Sequence, residues 1–197
     1  MADRVTEILE AACRVIARSG ASRLRMSDVA REAGVSSALV HYYCATRTEL
    51  LAKAFTYADE RADARVQAEL ALVGPAIEKL AVLLRFYLGD DDVVHENAIL
   101  WRETWSHASF DESLRTRLAE SYAAWIEQVV ELVAAAQAEG AVPATVVPEP
   151  AARRLAAIVD GLGAQILIGM LDGPAASALI RDALAIELGV PAGNTAS

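Results

Sequence analysis

The sequence predicts an all-α fold, and three observations support that prediction. Apolar residues recur at helical spacing along the whole chain of 197 residues. No stretch keeps the apolar/polar alternation of a half-buried strand, and no Asn-Gly or Asp-Gly pair joins two such stretches as a hairpin turn would. Glycine and proline interrupt the apolar segments at intervals that suit helices. Because 54% of the residues are hydrophobic, the chain can bury a sizeable core, and its composition argues against disorder.

An amphipathic first helix is predicted at the N-terminus, because apolar residues from Val5 to Ile16 follow helical spacing. Gly20 ends this helix, since glycine readily adopts the left-handed conformation that follows many helices. Ser27 precedes an acidic residue and is predicted to be the N-cap of a short second helix. That helix ends at Gly34.

A short third helix and six further helices bring the predicted total to about nine. Ser36 or Ser37 caps the third helix, which runs to about Tyr43. Thr46 or Thr48 starts the fourth helix, and glycine and proline separate the later ones. The six further helices are predicted at about residues 49–72, 76–88, 93–108, 111–139, 149–171 and from the Gly173-Pro174 break to 188.

Composition excludes several classes of protein. No apolar run reaches the ~18 residues of a membrane span. The N-terminus lacks the apolar run of an export signal. A cytoplasmic protein that does not enter the membrane is therefore expected. Cys13 and Cys44 have no CxxC or histidine-rich surroundings, so they are predicted to be small buried hydrophobes rather than disulfide or zinc sites.

Charge is distributed unevenly along the chain. The net charge of −9 by itself argues against a nucleic-acid partner. Residues 1–48, however, contain seven arginines and only five acidic side chains. This asymmetry predicts that the N-terminal quarter meets an anion while the acidic remainder has another role.

The stretch from Arg31 to Tyr43, REAGVSSALVHYY, is rich in small and hydrogen-bonding residues. Two short helices joined by a glycine-containing turn are the parts of a helix-turn-helix, whose second helix lies in the DNA major groove. Small residues at the start of that helix let the backbone approach DNA closely. Helical hairpins also serve purely structural roles, and that alternative stays open. The predicted DNA-binding residues are Ser27, Ser36, Ser37, Ala38, His41, Tyr42, Tyr43 and Arg47, with Ala30, Val35 and Val40 holding the two helices together.

The segment from about Ala11 to Leu51 resembles the TetR family of bacterial transcriptional regulators. The residues that carry the resemblance are Ser27, Ala30, Ala33-Gly34-Val35-Ser36, Leu39-Val40-His41-Tyr42-Tyr43 and Thr46-Arg47-Thr48-Glu49-Leu50. Beyond Leu51 only the number, lengths and order of the helices agree. The resemblance implies a helix-turn-helix DNA-binding domain at residues 1–47 and a helical effector-binding and dimerisation domain at 48–189. Residues 190–197 are predicted to be a frayed tail.

Two positions depart from the pattern of that family. Cys44 stands where the family usually has phenylalanine, which removes a core anchor beside the third helix. Arg47 replaces the usual lysine, which keeps a positive charge for a phosphate and adds a bidentate fork.

The last two predicted helices carry more apolar surface than one chain need bury. Glycine inside a helix costs ~1 kcal/mol, so Gly161, Gly163 and Gly169 indicate that another helix approaches closely. By resemblance, the two helices pair with their copies as a four-helix bundle in a homodimer. The alternative is that they form the core of a monomer. The predicted interface residues are Leu155, Val159, Leu162, Gly163, Ile166, Leu179, Ala183 and Ile186.

Most of the large aromatic residues lie in the middle of the chain. Trp101 and Trp105 are one helical turn apart on one face of a predicted helix. In a regulator, a cavity among these helices is where an effector binds, and aromatic walls suit a flat or apolar molecule. A solid aromatic core is an equal alternative. The predicted effector-binding residues are Phe86, Trp101, Trp105, Tyr122 and Trp125.

The sequence is therefore interpreted as a ligand-responsive transcriptional regulator, a repressor by resemblance, and not an enzyme. It is expected to bind a palindromic operator in double-stranded DNA as a homodimer and to be released by a small-molecule effector. No cofactor or metal is predicted, because Ile99 stands where an HExxH motif beginning at His95 needs its second histidine. Glu103 and His107 are interpreted as a solvated polar face. The alternatives are an all-helical metal-dependent enzyme and a small-molecule-binding protein without DNA binding.

Overall fold

Helices dominate the computed structural model, which describes residues 4–89 and 91–190. Within these ranges no strand occurs, and the all-α prediction is confirmed. The described α-helices are α1 (Arg4–Ser19), α2 (Met26–Ala33), α3 (Ser37–Tyr43), α4 (Arg47–Leu70), α5 (Ala76–Phe86), α6 (Asp92–Ala108), α7 (Glu112–Ala138), α8 (Pro148–Leu167) and α9 (Gly173–Leu188). A single 3₁₀ turn (Ala21–Arg23) lies between α1 and α2.

Local caps and breakers explain most of the helix boundaries. Gly34 takes the left-handed conformation, with φ of 66°, and ends α2. The Ser36 hydroxyl accepts a hydrogen bond from the Leu39 backbone N–H at 3.2 Å and begins α3. The Thr46 hydroxyl accepts a hydrogen bond from the Glu49 N–H at 3.1 Å. Helix α4 therefore begins at Arg47, two residues before the predicted start at residue 49.

Two predicted helix ends are wrong. Ser27 is not the N-cap of α2, because the helix already begins at Met26 and Arg25 occupies the N-cap position without a side-chain cap bond. The 3₁₀ turn and the buried Leu24 fix the chain just before that point. Helix α8 ends at residue 167 rather than 171, because Gly169 takes a positive φ of 71°. This glycine therefore does not lie inside a helix.

The chain forms two compact units. Unit 1 runs up to Asp63 and also contains His95–Ser121, so it holds α1 to α3, the 3₁₀ turn, most of α6 and parts of α4 and α7. Unit 2 contains Ala64–Val94 and the chain from Tyr122 onward, including α5, α8 and α9. The three helices of the predicted DNA-binding domain all belong to unit 1.

Unit 1 has one continuous core of aliphatic and small side chains around Phe55. Ile8 and Ile16 of α1 are fully buried in this core. Cys44 is buried there too, so the position where the TetR pattern has phenylalanine is filled by a smaller side chain. Burial raises the pKa of both thiols, that of Cys13 to about 12, so both cysteines are protonated near neutral pH. The prediction that they are small buried residues is confirmed.

Unit 2 is built around α8, α9 and α5, in which α8 packs against α9 and α5 packs against both. Helix α9 buries one full stripe of side chains, which consists of Ala176, Ile180, Leu184 and Leu188. The spacing of four residues places that stripe on one face of the helix. Of the predicted frayed tail, Val190 is buried, and residues 191–197 lie outside the described residues.

No helix in the described ranges has both the length and the apolar character that a membrane span requires.

Candidate DNA-binding and effector sites

Helix α3 has one buried side and one exposed side. Val40 is completely buried in the core of unit 1, and Leu39 packs against that core. The opposite side presents Ser37, Ala38 and His41 to solvent, together with Tyr42, whose side chain is 80% exposed. A seven-residue helix is too short to be stable alone, so the buried valine is what holds it in place.

The turn between α2 and α3 is fixed by backbone and core contacts. The Val35 N–H donates to the Ala30 carbonyl at 2.9 Å across Gly34. Ala30 is buried in the core of unit 1, and Val35 packs against that core. The prediction that Ala30, Val35 and Val40 hold the two helices together is confirmed.

The end of α3 and the start of α4 are joined by polar contacts. The Lys53 ammonium donates to the Tyr43 carbonyl at 2.7 Å and pairs with Glu49 at 2.8 Å. Tyr42 and Tyr43 stack edge to face with ring centroids 5.1 Å apart. Of the predicted DNA-binding residues, Tyr43 is half-buried, and the side chains of the other seven, from Ser27 to Arg47, are exposed.

The arginines of the N-terminal segment divide into paired and unpaired ones. The pairs are Arg4–Glu7, Arg14–Glu32, Arg18–Glu32 and Arg31–Asp28. Arg47 donates from Nη1 to the Ser22 carbonyl at 3.0 Å, which places it beside the 3₁₀ turn. Arg23 and Arg25 are exposed and have no ion pair within the described part of the chain. Sequence reasoning did not select these two arginines, because no sequence pattern separates a paired arginine from an unpaired one.

Trp101 of unit 1 lies between another aromatic ring and a half-buried carboxyl group. Trp101 packs edge to face on Phe55, with centroids 5.1 Å apart, and its indole N–H donates to Asp59 at 3.1 Å. Asn97 lies beside the same carboxyl and is only 3% exposed. Burial raises the pKa of Asp59, against the opposing effect of the neighbouring Ser121, Trp101 and Asn97 side chains, of which Trp101 donates the hydrogen bond just described.

The aromatic residues of unit 2 form a continuous series of rings. The order is Phe86, Tyr87, Trp125 and Tyr122, with centroid separations of 5.2, 5.8 and 6.1 Å. The Tyr122 hydroxyl donates to the Asp160 carboxylate at 2.6 Å. Burial, followed by that hydrogen bond, raises the pKa of Tyr122, so its hydroxyl stays protonated. The indole nitrogen of Trp125 is buried and has no hydrogen-bond partner in the described ranges.

The predicted effector-binding residues thus fall into two groups. Trp101 and Trp105 belong to unit 1, and the other three belong to unit 2. Sequence reasoning left Tyr87 and Asp160 out of the predicted site. A signal for Asp160 was present, since it is the one charged residue within the apolar half of α8.

Glu103 and His107, which the sequence was interpreted to place on a solvated polar face, make hydrogen bonds inside unit 1. The Glu103 carboxylate accepts from the Ala21 N–H at 2.7 Å, so the interpretation of Glu103 as a solvated side chain is wrong. The His107 ring donates from Nδ1 to the Glu103 carbonyl at 2.8 Å. Among the described residues, no group of three or more potential metal ligands occurs.

The residues predicted for a dimer interface differ in exposure. Leu155, Val159 and Leu162 are already buried within the single chain. Gly163, Ile166 and Ala183 are half-buried. On α9, Leu179 is 46% exposed and Ile186 is 80% exposed. With Ala183 they form a second apolar stripe on α9, distinct from the buried one.

Two known protein families match this chain, one in its N-terminal part and one in its C-terminal part. Residues 8–54 match the family described as bacterial regulatory proteins, tetR family. Residues 76–189 match the family described as BetI-type transcriptional repressor, C-terminal. These are families of transcriptional regulators and not of enzymes.

Individual relatives agree with the family matches. The HTH-type transcriptional regulator BetI of Rhizobium meliloti is 33% identical over 158 residues, which cover 79% of this chain and 73% of that protein. The BetI regulator of Agrobacterium fabrum is 34% identical over 113 residues, 56% of this chain, and the match spans about half of the relative, 54% of its length.

A solved structure agrees as well. A putative transcriptional regulator from Saccharomonospora viridis, solved in complex with choline, superimposes with a TM-score of 0.84 and 27% identity, covering 90% of this chain and 93% of that one. The helix-turn-helix built on Val40 and the helical part that follows are therefore those of a known family, and this chain belongs to the TetR family of bacterial transcriptional regulators, with a C-terminal part of the BetI repressor type.

Proposed function

We propose that this chain is an effector-controlled repressor that binds operator DNA as a homodimer through α3. The observation that carries the proposal is the two-sided character of α3. Val40 anchors the helix in the core, while Ser37, His41 and Tyr42 project into solvent. A helix presented in this way can enter a major groove with its polar side chains against base edges.

Phosphate contacts come from the basic residues beside α3. Arg47 uses one N–H on Ser22, and its guanidinium carries five such donors, so others are available to a phosphate. Arg23 and Arg25 have no ion pair within the described residues and join Arg47 in this role. Such contacts fix the position of the protein on DNA without reading sequence.

The second apolar stripe of α9 supports the dimer in this proposal. Leu179, Ala183 and Ile186 lie on one face, and the half-buried Gly163 and Ile166 of α8 add to the apolar surface. A two-fold arrangement buries this stripe against its own copy and places two α3 helices on a palindromic site. In such a dimer Leu155, Val159 and Leu162 support the interface from beneath.

The effector in this proposal is a small organic cation of the choline type. The Saccharomonospora viridis regulator binds choline, and unit 2 of this chain offers the chemistry that such a cation needs. Faces of Tyr87, Tyr122 and Trp125 attract a quaternary ammonium group, and the Asp160 carboxylate adds a negative charge beside them. The sequence alone had suggested an apolar or aromatic effector.

The DNA-binding half is tested with the duplex that lies upstream of the gene for this protein. Arg47→Ala is expected to weaken binding to every sequence alike and to lower the slope of log affinity against log salt by about one unit. His41→Ala is expected to change base preference instead. Arg153→Ala, which removes an exposed charge from α8, serves as the control and should change neither property. Unchanged affinity and slope in Arg47→Ala would refute the assignment of the DNA surface.

The effector half is tested by calorimetric titration with choline and with its neutral isostere, 3,3-dimethylbutan-1-ol. Choline is expected to bind at least about tenfold more tightly, because only the cation gains from the rings and from Asp160. Asp160→Asn should reduce the difference in affinity between choline and the neutral isostere. The control is Asp182→Asn, which removes the same charge from an exposed side chain of α9 and should leave that difference in affinity unchanged. Equal binding of the two ligands would contradict a cation site.

A further inference from the structure

The 3₁₀ turn between α1 and α2 is held from inside unit 1 by one carboxylate. The Glu103 side chain, carried by α6, accepts from the Ala21 N–H at 2.7 Å. Gly20 precedes this N–H with φ of 79°, and a Cβ at Gly20 would lie 3.3 Å from the other Glu103 oxygen. The glycine thus permits both the backbone conformation and the close approach of the carboxylate.

The bond satisfies a donor that the turn itself leaves free. The first N–H groups of a helical turn have no partner within it, and Ala21 is buried, where an unpaired N–H is unfavourable. Its partner comes from 82 positions away in the sequence. Glu103 is itself a residue of α6, so this bond ties the turn to that helix. The position of the turn therefore depends on α6.

The same turn supports the arginines that face solvent. Arg47 donates to the Ser22 carbonyl at 3.0 Å, and Ser22 is the next residue after Ala21. Arg23 is the last residue of the turn, and Arg25 follows two positions later as the N-cap of α2. Arg47, Arg23 and Arg25 are thus all bonded to the 3₁₀ turn, part of it or close to it in the chain. The Ala21 N–H of the same turn is bonded to Glu103.

We propose that Glu103 is a positioning residue for DNA phosphate binding: its carboxylate sets the 3₁₀ turn, and the turn sets Arg47, Arg23 and Arg25. The inference rests on the proposed function, since it takes Arg47 to bind a phosphate. It also gives the fold a point of control. Any state in which α6 withdraws Glu103 from Ala21 loses phosphate affinity, although no DNA-facing residue has changed.

The sign of one substitution separates this proposal from simple electrostatics. Removing a negative charge from an acidic protein should strengthen its binding to DNA. Glu103→Ala is expected to do the opposite: several-fold weaker binding to a mixed-sequence duplex, and a salt slope lower by about one unit for each phosphate that the arginines no longer bind. Glu60→Ala is the matched control, because Glu60 is exposed on α4 in the same unit and makes no hydrogen bond or ion pair within the described residues. It should bind DNA as well as the parent chain or better.

A double-mutant cycle identifies the route of the effect. In the Arg47→Ala background, Glu103→Ala should have less effect on affinity, since the share of its effect that acts through Arg47 is already lost and only the share through Arg23 and Arg25 remains. Glu103→Gln keeps an oxygen that accepts from Ala21 and should restore much of the binding. If Glu103→Ala does not fold, Glu103→Asp, which keeps the charge and shortens the reach, carries the same expectation for the salt slope.

Two results would overturn the inference. One is a lowered melting temperature with an unchanged salt slope, which is the signature of a purely structural role. The other is full additivity with Arg47→Ala. Failure of the proposed function looks different, because Arg47→Ala would then leave both affinity and slope unchanged.

Discussion

Ile186→Glu should dissociate the proposed homodimer while leaving the single chain folded. Ile186 lies on α9, seven residues after Leu179, so the two side chains share one face of the helix. Its side chain is 80% exposed in the single chain, and it therefore contributes little to the core of unit 2. Its exposure is unfavourable in a monomer and is removed if α9 packs against its copy.

The size of the effect follows from the exposed fraction. Complete burial of an isoleucine side chain contributes about 1.5–3 kcal/mol. Scaling by the exposed 80% and counting two copies in a symmetric dimer gives a loss of about 2–5 kcal/mol in the free energy of association. That loss corresponds to a ~30-fold to several-thousand-fold increase in the dimer dissociation constant. Burial of the introduced carboxylate would add to it.

Sedimentation equilibrium over a wide range of protein concentration measures this constant directly. Leu72→Glu is the matched control, since Leu72 is 88% exposed in the connection between α4 and α5 and undergoes a comparable apolar-to-acid change. It should leave the association constant unchanged. If Ile186→Glu associates as strongly as the parent chain, the second stripe of α9 is not the interface.

Three further substitutions test separate parts of the structure. Gly34→Ala should cost ~1 kcal/mol in thermal melts because of its φ of 66° alone, since a Cβ there meets nothing within 4 Å, whereas Gly74→Ala should cost less. Burial raises the pKa of Asp59, so the folded chain binds its proton more tightly and loses stability as pH rises above ~4. Asp59→Asn should therefore gain stability over the parent between about pH 4 and 7 in urea titrations, and a constant difference would contradict this. Arg23→Ala should lower the DNA salt slope by about one unit, and the ion-paired Arg14→Ala should lower it less.

Features set by neighbouring residues could be predicted from the sequence. Gly34 and Ser36 mark the end of α2 and the start of α3 because a left-handed glycine and a serine cap act within a few positions. The same local reasoning gave the wrong N-cap for α2 at Ser27. There the backbone already bends at the 3₁₀ turn, and the buried Leu24 fixes the chain before the serine is reached.

Features that join distant residues could not be predicted. The bond between Glu103 and Ala21 joins positions 82 apart, and spacing within α6 alone pointed to a solvated face. The Tyr122–Asp160 bond joins α7 to α8 in the same way, which is why Asp160 was absent from the predicted effector site. Ion pairing had a similar effect on the arginines, because Arg14 and Arg18 both pair with one glutamate, Glu32, which lies on another helix.

Ion pairing of arginines with acidic side chains also affects how a protein of net charge −9 is expected to bind DNA. The overall field of the chain repels phosphates, so affinity has to come from a few well-placed contacts at short range. If each of the three arginines near the 3₁₀ turn contributes on the order of 1 kcal/mol in both protomers, the total is about 6 kcal/mol. An effector that reverses a 99:1 population needs about 5.5 kcal/mol of differential binding. Release of one short turn by α6 would then be enough to separate the two states, without any rearrangement of the recognition helix itself.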